Sequence, residues 1–525
     1  MSKVSNRLCR CAVIGLLLFS AICHPNRKVL AEEAVAIQRG LSQINLVDLK
    51  RHVTTLASDA FEGREAGSRG GKAALAYLRS ELKALRELGP LPREQTQEFN
   101  RECQNLLVLL PGSDETLKHE VIVIGAHYDH VGYGKPTNSH GPFGQIHNGA
   151  DDNASGSAAL MELIKAFLSL ESPPPRSILF AFWDAEEAGL LGSKYWVGHP
   201  TIPLSQIRFA LNIDMLGRLR NGRVVTVGWR SAPGLREMLA SQNVTNELNL
   251  AFQPRVNADS DHHPFYAVGI PVIHMDTDKH ADYHRPTDDP EKLNWDGLLL
   301  MTQFAYRFAM DAASRPEFPQ FRKDAPQEGT PNWMTPHAAV QPPVRLGVNW
   351  DAEQVKHNIV QISQITQDSP GANAGLRIGD RIIRLGPWNN GTFDDFKTTL
   401  QIVKNPVPIR VRRPGTDTPI DLTATLWGTP VRLGAGWIDD PALPNCAVIT
   451  HVVAESPLDR AGIAAGDLIL DMGGRSFASA EELRQRVVDE PGPFVFRIER
   501  QGRIREITVE LFDQPSTKTE PPQRP

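Results

Sequence analysis

The sequence predicts an α/β domain with a mostly parallel central sheet, followed by two small β-rich domains. Between residues 40 and 315, short apolar runs alternate with stretches of helical periodicity, a pattern typical of a parallel sheet with helices on both faces. Residues 316–343 contain seven prolines, which interrupt both helices and central strands. Beyond them, short motifs recur at an offset of 87 residues, which indicates two tandem copies of one small domain.

Six short apolar runs in the first region are predicted to be buried strands. They are Leu106–Leu110, Val121–Gly125, Ile178–Trp183, Phe209–Ile213, Val224–Gly228 and Val272–Met275. The predicted helices are Ser155–Leu170, Pro233–Gln242 and Leu298–Met310, and an earlier one is indicated by leucines at positions 75, 78, 82 and 85. Gly89-Pro90 is expected to end that earlier helix. These elements together define one domain at residues 40–315.

The proline-rich region 316–343 is predicted to be a linker between domains. After it, Val344–Gly347 recurs as Val431–Gly434, and Gly379-Asp380 recurs as Gly466-Asp467. An offset of this size suits tandem small domains better than solenoid repeats. We therefore expect two domains at about 344–428 and 431–512, and a disordered polar tail at 513–525.

The first 31 residues have the pattern of a secretory signal peptide. Lys3, Arg7 and Arg10 precede an apolar run, Ala12–Ile22, that is too short to span a bilayer. Val29–Ala31 offers a cleavage site. We therefore expect an exported protein of the periplasm, cell envelope or extracellular space, with no transmembrane segment after leader removal. An uncleaved amphipathic helix or anchor is the alternative.

Composition and charge exclude several classes of protein. The chain has 525 residues, of which 41% are hydrophobic and 22% charged, so it is not disordered throughout, collagenous or a polytopic membrane protein. It carries 56 basic and 61 acidic side chains, and without the five basic residues of positions 1–31 the net charge is −10. A chain this acidic is unsuited to nucleic acid, and we predict no nucleic-acid partner.

Carboxylates and histidines are concentrated in five segments at predicted strand ends or glycine-containing turns. The segments are Gly125–His130, Gly149–Gly156, Trp183–Gly189, Asn212–Met215 and Tyr283–Pro286. Ligands of open α/β sheets gather at the carboxyl ends of the strands, so we expect the five segments to meet. Taken singly, each segment has a structural explanation as an ion pair, a helix cap or a solvated face. Their combination in one domain favours a functional site.

The residue types in these segments suit a pair of divalent cations. Two ions about 4 Å apart need a shared carboxylate, because shared negative charge offsets their mutual repulsion. Each ion then takes one further carboxylate and one neutral imidazole, which favours zinc, with manganese or cobalt able to substitute. A further carboxylate must stay off the metals to accept a proton. The adjacent Glu186 and Glu187 can divide these two tasks.

Together, the motifs resemble the cocatalytic dizinc aminopeptidases, a group of zinc exopeptidases that includes bacterial leucyl aminopeptidases, aminopeptidase Y and relatives of glutamate carboxypeptidase. The resemblance covers most of residues 40–315 and implies a three-layer α/β sandwich that holds two Zn²⁺ per chain. It implies that His127 and Asp214 bind one zinc, that Glu187 and His284 bind the other, and that Asp152 bridges them.

The same resemblance implies a mechanism. Glu186 matches the general base, which takes a proton as a metal-bridging hydroxide attacks a peptide carbonyl. Asp129 matches a carboxylate that orients the ring of His127, and Tyr283 matches a tyrosine that stabilises the developing oxyanion.

The implied substrates are peptides, and aminopeptidase action is the favoured activity. A carboxypeptidase or a glutaminyl cyclase-like enzyme is an alternative, because the residue spacing does not separate these reactions. A catalytically dead peptide-binding scaffold of the envelope is another. Such a scaffold should have lost ligands, whereas here every expected position is filled.

Two further segments are placed near the site. Residues 131–148 are rich in glycine and follow His130 with His140 and His147, and we expect a flexible insertion that borders the cleft. Additional metal ligands in this insertion are an alternative. Ser260–Phe265 also resembles the family and is given a shaping role beside the cleft.

The two C-terminal copies resemble the PDZ domains of bacterial envelope proteases. In that fold, a Leu-Gly turn directs backbone N–H groups at the C-terminal carboxylate of a peptide, which adds to the sheet as a strand. The corresponding turns are Leu346-Gly347-Val348 and Leu433-Gly434-Ala435. The resemblance implies binding of protein or peptide C-termini; the alternative is that these domains only pack on or rigidify the catalytic domain.

Overall fold

A computed structural model describes residues 27–85, 93–100, 102–335, 340–341, 344–428 and 430–511. Residues 1–26 of the predicted leader and the predicted tail at 513–525 lie outside this part, as does the predicted stop at Gly89-Pro90. Two compact units are present: the first ends at Gly329 and also takes in Gln501–Arg503, and the second begins at Thr330.

The first unit contains an eight-stranded sheet within the described residues, in the order β1-β2-β4-β3-β5-β8-β6-β7. The strands are β1 Arg93–Phe99, β2 Cys103–Leu110, β3 Val121–His127, β4 Ser177–Trp183, β5 Ile207–Ile213, β6 Arg223–Val227, β7 Asn249–Gln253 and β8 Val272–Asp276. The pairs β3–β4, β3–β5, β5–β8 and β6–β7 are parallel, whereas β1–β2, β2–β4 and β6–β8 are antiparallel. The predicted mostly parallel α/β sheet is confirmed.

Helices cover both faces of this sheet. They are α1 Arg27–Gln43, α2 Leu46–Leu56, α3 Arg69–Ala84, α4 Gly156–Leu168, α5 Leu191–Gly198, α6 Leu235–Gln242, α7 His262–Ala267 and α8 Trp295–Ser314. Successive side chains of a strand point to opposite faces. In β4, Phe180 contacts Phe167 of α4, while Leu179 lies on the other face, in a cluster with Trp196 of α5 and Phe265 of α7. The result is the three-layer arrangement that the sequence predicts.

The central strands are buried along their whole length. All seven residues of β3 and all seven of β4 are buried, as expected of parallel strands covered on both faces. Each large apolar side chain buried in this way contributes roughly 1.5–3 kcal/mol to folding. The core therefore holds the carboxyl ends of these strands in fixed positions. The charged residues that follow the strands are held in place at their first backbone atoms.

Two strands of the sheet are absent from the sequence-based prediction. β1 has the sequence REQTQEF and lies at one edge, where Gln95 and Glu98 are exposed and no apolar run marks the strand. β7 is the five-residue strand at the opposite edge. Edge strands need fewer apolar residues than central ones, so hydrophobicity alone does not reveal them.

The predicted linker contains local structure. Short 3-10 helices form at Ala325–Gln327 and Asn332–Met334, and Phe318 and Trp333 are buried. The indole N–H of Trp333 donates to Asp440 Oδ2 at 2.9 Å, within the second unit. Parts of this region therefore pack, although Pro336 and residues 342–343 lie outside the described residues.

The second unit contains two antiparallel sheets. The first comprises β9 Val348–Trp350, β10 Val360–Ile365, β11 Arg381–Leu385, β12 Trp388–Asn389, β13 Val407–Arg412 and β14 Ile420–Ala424, with helices α9 Ala352–Val355, α10 Pro370–Asn373 and α11 Phe393–Ile402. The second comprises β15 Ala435–Asp440, β16 Leu443–Val452, β17 Leu468–Met472, β18 Phe494–Arg500 and β19 Arg503–Val509, with helices α12 Pro457–Arg460 and α13 Ala480–Asp489.

Corresponding elements of the two sheets keep the spacing of the sequence motifs. α10 and α12, β11 and β17, and α11 and α13 begin 87 residues apart, at Pro370 and Pro457, Arg381 and Leu468, and Phe393 and Ala480. Each set has its own apolar core, around Trp388 and Phe396 in the first and around Leu483 and Phe496 in the second. Among the helices of the described part, none combines the length and apolar character that a membrane crossing needs.

Candidate metal centre

Three adjacent parallel strands and two loops bring the five predicted ligands together at the carboxyl ends of the central strands. His127 is the last residue of β3, Glu187 follows β4, and Asp214 directly follows β5. Asp152 lies in the irregular helical turn Ala150–Ser155 before α4, and His284 lies in the loop after β8. We refer to these five side chains as the cage.

Distances within the cage divide it into two halves joined by Asp152. On one side, His127 Nε2 lies 3.2 Å from Asp214 Oδ1 and 3.4 Å from Asp152 Oδ1. On the other, His284 Nε2 lies 3.0 Å from Asp152 Oδ2 and 3.0 Å from Glu187 Oε2. Asp152 thus presents one carboxylate oxygen to each histidine–carboxylate pair, which is the arrangement of a bridging ligand.

The donor set of the cage fits two zinc ions. Its side chains are 2% to 14% exposed and offer imidazole nitrogen and carboxylate oxygen, the donors that zinc prefers. His284 Nε2 lies near two carboxylate oxygens, yet it makes no hydrogen bond within the described residues. A buried imidazole nitrogen left without a proton partner between two carboxylates is poised to bind a cation. Ligand atoms also group as His127, Glu186 and Asp214, and as His130, Asp152 and Glu187.

Glu186 lies beside the cage in an enclosed and strongly acidic environment. Its backbone N–H donates to Asp129 Oδ1 at 3.0 Å, which fixes the start of the turn after β4. Burial raises the pKa of the Glu186 carboxyl well above its usual range; His127 opposes this, and the negative charge of Glu187 adds to it. A carboxyl group held in this way is a candidate for proton transfer.

The Asp129 carboxylate holds the glutamates more directly than it holds His127. It accepts hydrogen bonds from the backbone N–H groups of Glu186 and Glu187, at 3.0 and 3.3 Å. His127 Nδ1 lies 3.2 Å from the backbone carbonyl oxygen of Asp129 and 3.7 Å from the carboxylate, which is longer than a hydrogen bond. Asp129 therefore orients His127 mainly through its backbone and positions Glu186 and Glu187 through its side chain.

Tyr283 lies against the cage. Its ring stacks on that of His284, with centroids 3.9 Å apart, and the Lys279 amine lies 4.3 Å from the ring centroid. Burial and the carboxylates of the cage, Asp152 first, raise the pKa of the Tyr283 hydroxyl, so it remains a proton donor at neutral pH. These features are compatible with the predicted oxyanion role, which stays a prediction.

Three groups support the cage through contacts that the sequence does not predict, although the Ser260–Phe265 segment was already expected beside the cleft. Ser260 Oγ donates to Asp214 Oδ2 at 2.8 Å, which gives the Ser260–Phe265 segment a direct contact with a cage residue. Asp288 Oδ2 accepts the backbone N–H groups of Asp151 and Asp152, at 2.9 and 3.1 Å. These partners are distant in sequence, and no local motif relates them.

The third group is Arg64, a fully buried guanidinium. It donates to the backbone carbonyl oxygens of Leu56, Tyr128, Asn148, Gly149 and Asp152. Three of these acceptors belong to residues 148–152, the segment that carries Asp152. Arg64 and Asp288 therefore both fix the path of that segment.

The segment 131–148 packs over His284. Ser139 Oγ and the backbone N–H of His140 both donate to the His284 carbonyl oxygen, at 3.0 Å each. The Arg285 guanidinium donates two hydrogen bonds, to the carbonyl oxygens of His140 and Gly141. The predicted border of the cleft is thus in contact with the loop that carries a cage histidine.

The predicted PDZ-like turns occupy matching places in the two C-terminal sheets. Gly347 and Gly434 have φ values of +71° and +79°, and a Cβ atom on either would approach the Cβ of Ser369 or Ser456 to 2.2 or 2.1 Å. Glycine is therefore required at both turns. Leu346, Val348 and Leu433 are buried, and Ala435 is partly buried at the start of β15.

Residues 105–309 match the model of peptidase family M28. Leupeptin-inactivating enzyme 1 of Streptomyces exfoliatus is 29% identical over 300 residues, which are 56% of this chain and 62% of that protein. Leucine aminopeptidase 1 of Arthroderma gypseum is 26% identical over 316 residues, 56% of this chain and 80% of that protein. This chain therefore spans less than two thirds of the Streptomyces relative.

Among solved structures, the LapA aminopeptidase of Legionella pneumophila is similar to this chain at 22% sequence identity and a TM-score of 0.47. The alignment covers 54% of this chain and 74% of that one.

Proposed function

Because residues 105–309 form a peptidase family M28 domain, we propose that this chain is a zinc-dependent exopeptidase that removes N-terminal residues from peptides. The observation that carries the proposal is the position of Asp152, with one oxygen toward His127 and the other toward His284. Zinc held by these residues would polarise a peptide carbonyl and lower the pKa of a bound water.

The residues of the chain supply the remaining chemistry. Glu186, held by Asp129, takes the proton of the attacking water and returns it to the leaving amine. Tyr283, stacked on His284, donates its hydroxyl proton toward the developing oxyanion. Ser260 and Asp288 keep Asp214 and the Asp152 turn in place throughout the reaction. We propose that this activity acts outside the cytoplasm, and the support is the leader predicted for residues 1–31.

Matched pairs of unblocked and N-acetylated peptides test the aminopeptidase assignment. We expect hydrolysis of the unblocked members alone, and loss of that hydrolysis when a chelator removes the metal. Release of free amino acids, followed by mass spectrometry, is the measurement. Cleavage of both members of each pair would favour a carboxypeptidase-like enzyme instead, and cyclisation of N-terminal glutamine would favour a cyclase. Metal-loaded protein that processes none of these peptides would contradict the proposal.

We also propose that the two C-terminal domains bind peptide C-termini at the turns around Gly347 and Gly434. The support is the matching left-handed glycine in each turn, at the start of strands β9 and β15. Peptides that end in a free carboxylate should be retained by the immobilised protein, while the same peptides with an amidated end should not. Equal retention of both forms would mean that the domains do not read the carboxylate.

A further inference from the structure

His130 is a buried histidine beside the cage that the roles above leave unused. Its side chain has no exposed surface, and Nδ1 lies 2.8 Å from Glu187 Oε1. The other oxygen of the same carboxylate, Oε2, lies 3.0 Å from His284 Nε2. The Glu187 carboxylate is therefore held between two imidazoles, one within the cage and one outside it.

The surroundings of His130 are shaped to its ring. A Cβ atom at position 149 would lie 2.5 Å from Cδ2 and 2.7 Å from Cγ of His130, so the glycine there leaves the space that the ring fills. The ring also packs edge-on against that of His284, with centroids 5.6 Å apart. Little freedom remains for His130 to turn away from Glu187.

The two ring nitrogens of His130 have different environments, because Nδ1 lies 2.8 Å from Glu187 Oε1 whereas Nε2 has no hydrogen-bond partner within the described residues. A neutral imidazole carries one proton, on either nitrogen. Nε2 is buried and makes no hydrogen bond within the described residues, so a proton there would be a buried N–H without an acceptor. An unpaired acceptor is tolerated better than an unpaired donor. A neutral ring with its proton on Nδ1 donates that proton to Glu187 Oε1 and leaves Nδ1 without a lone pair for a metal.

From this geometry we propose that His130 is a positioning residue for Glu187. Its Nδ1–H holds Oε1, which leaves Oε2 directed at His284, and this sets the affinity of the cage for the ion on the His284 side. The inference rests on the proposed two-metal function and adds to it a residue that controls one of the two ions.

Two substitutions separate positioning from direct metal binding. In His130→Asn, an amide N–H can take the place of Nδ1–H but cannot ligate zinc as imidazole does, whereas His130→Leu has no donor. We expect His130→Leu to bind one of the two zinc ions about 10–100-fold more weakly and the other unchanged, and His130→Asn to stay close to the parent protein. Competition with a chromophoric chelator measures both affinities.

Cobalt substitution gives a second readout, because the visible absorption of Co²⁺ reports its ligands. We expect the spectrum of Co²⁺-loaded His130→Asn to match that of the parent protein. Equal loss of affinity in both variants, or a changed cobalt spectrum in His130→Asn, would identify His130 as a ligand and overturn the proposal. Unaltered affinities in His130→Leu would overturn it as well. Should His130→Leu fail to fold, His130→Ala, which also lacks the donor, replaces it in the affinity measurement.

Control measurements keep this test apart from that of the proposed function. His199→Ala removes an exposed histidine and should leave both zinc affinities unchanged. A parent protein that binds no zinc and cleaves no peptide would refute the proposed function itself. A parent protein that binds two zinc ions and cleaves peptides, together with an unaffected His130→Leu variant, would refute the role of His130 alone.

Discussion

Replacement of Glu186 by glutamine should abolish nearly all turnover and leave the metal content unchanged. The substitution keeps the size of the side chain and the backbone N–H that donates to Asp129, but the amide cannot accept a proton. General base catalysis typically contributes about 10²–10⁴-fold to a rate, so kcat should fall by that order. Steady-state kinetics on an unblocked peptide, with metal analysis of the same samples, is the measurement.

Two matched substitutions sharpen this experiment. Glu115→Gln makes the same chemical change on a side chain that is 89% exposed, and it should have no effect. Glu187→Gln changes the neighbouring residue, which lies 3.0 Å from His284, and it should lower metal affinity as well as turnover. Parent-like kcat in Glu186→Gln would remove this residue from the mechanism.

The second large effect is expected at Asp152, whose replacement by alanine should remove metal and activity together. Each of its oxygens faces one histidine of the cage, so its loss affects both ion positions and removes the negative charge between them. The affinity should fall by more than the roughly 10–100-fold that loss of a supporting hydrogen bond costs. Zinc content after dialysis, measured by elemental analysis beside the residual activity, tests this.

Asp152→Asn refines the result, because the amide is isosteric and still has one oxygen. If bridging is the role of Asp152, one neutral oxygen cannot replace two charged ones, and this variant should also lose its ions. Asp114→Ala, on an exposed residue whose carboxylate caps a short turn, serves as the control for loss of a carboxylate. Retention of two tightly bound ions by Asp152→Ala would contradict the bridge.

The central part of the fold was predictable because its strands are buried on both faces. Such strands are continuous apolar runs, as in Val121–Gly125 and Ile178–Trp183, and the observed β3 and β4 extend these by one to two residues. The edge strand β1 was not predictable in this way, because six of its seven residues are polar. A strand that is buried on both faces is recognisable from its apolar composition, and a partly exposed strand is not.

The residues of the cage were accessible from sequence for a related reason. His127, Glu187 and Asp214 lie at or within four residues of the ends of apolar strands, and parallel strands place such positions together. The supporting contacts had no such marker: Arg64 binds carbonyl oxygens up to 88 residues away, and Ser260 reaches Asp214 over 46 residues. The carboxylate of Asp129 likewise contacts backbone N–H groups, which carry no side-chain identity.

The environment of Arg64 also bears on how the acidic loops of the site are held together. Its guanidinium is enclosed among Asp152, Asp129, Asp288 and Glu187; burial lowers its pKa to about 10, which leaves it cationic at neutral pH. The positive charge of the Arg64 side chain therefore supplies part of the countercharge for the acidic strand ends. We therefore expect the acidic loops to need less countercharge from bound ions in order to come together.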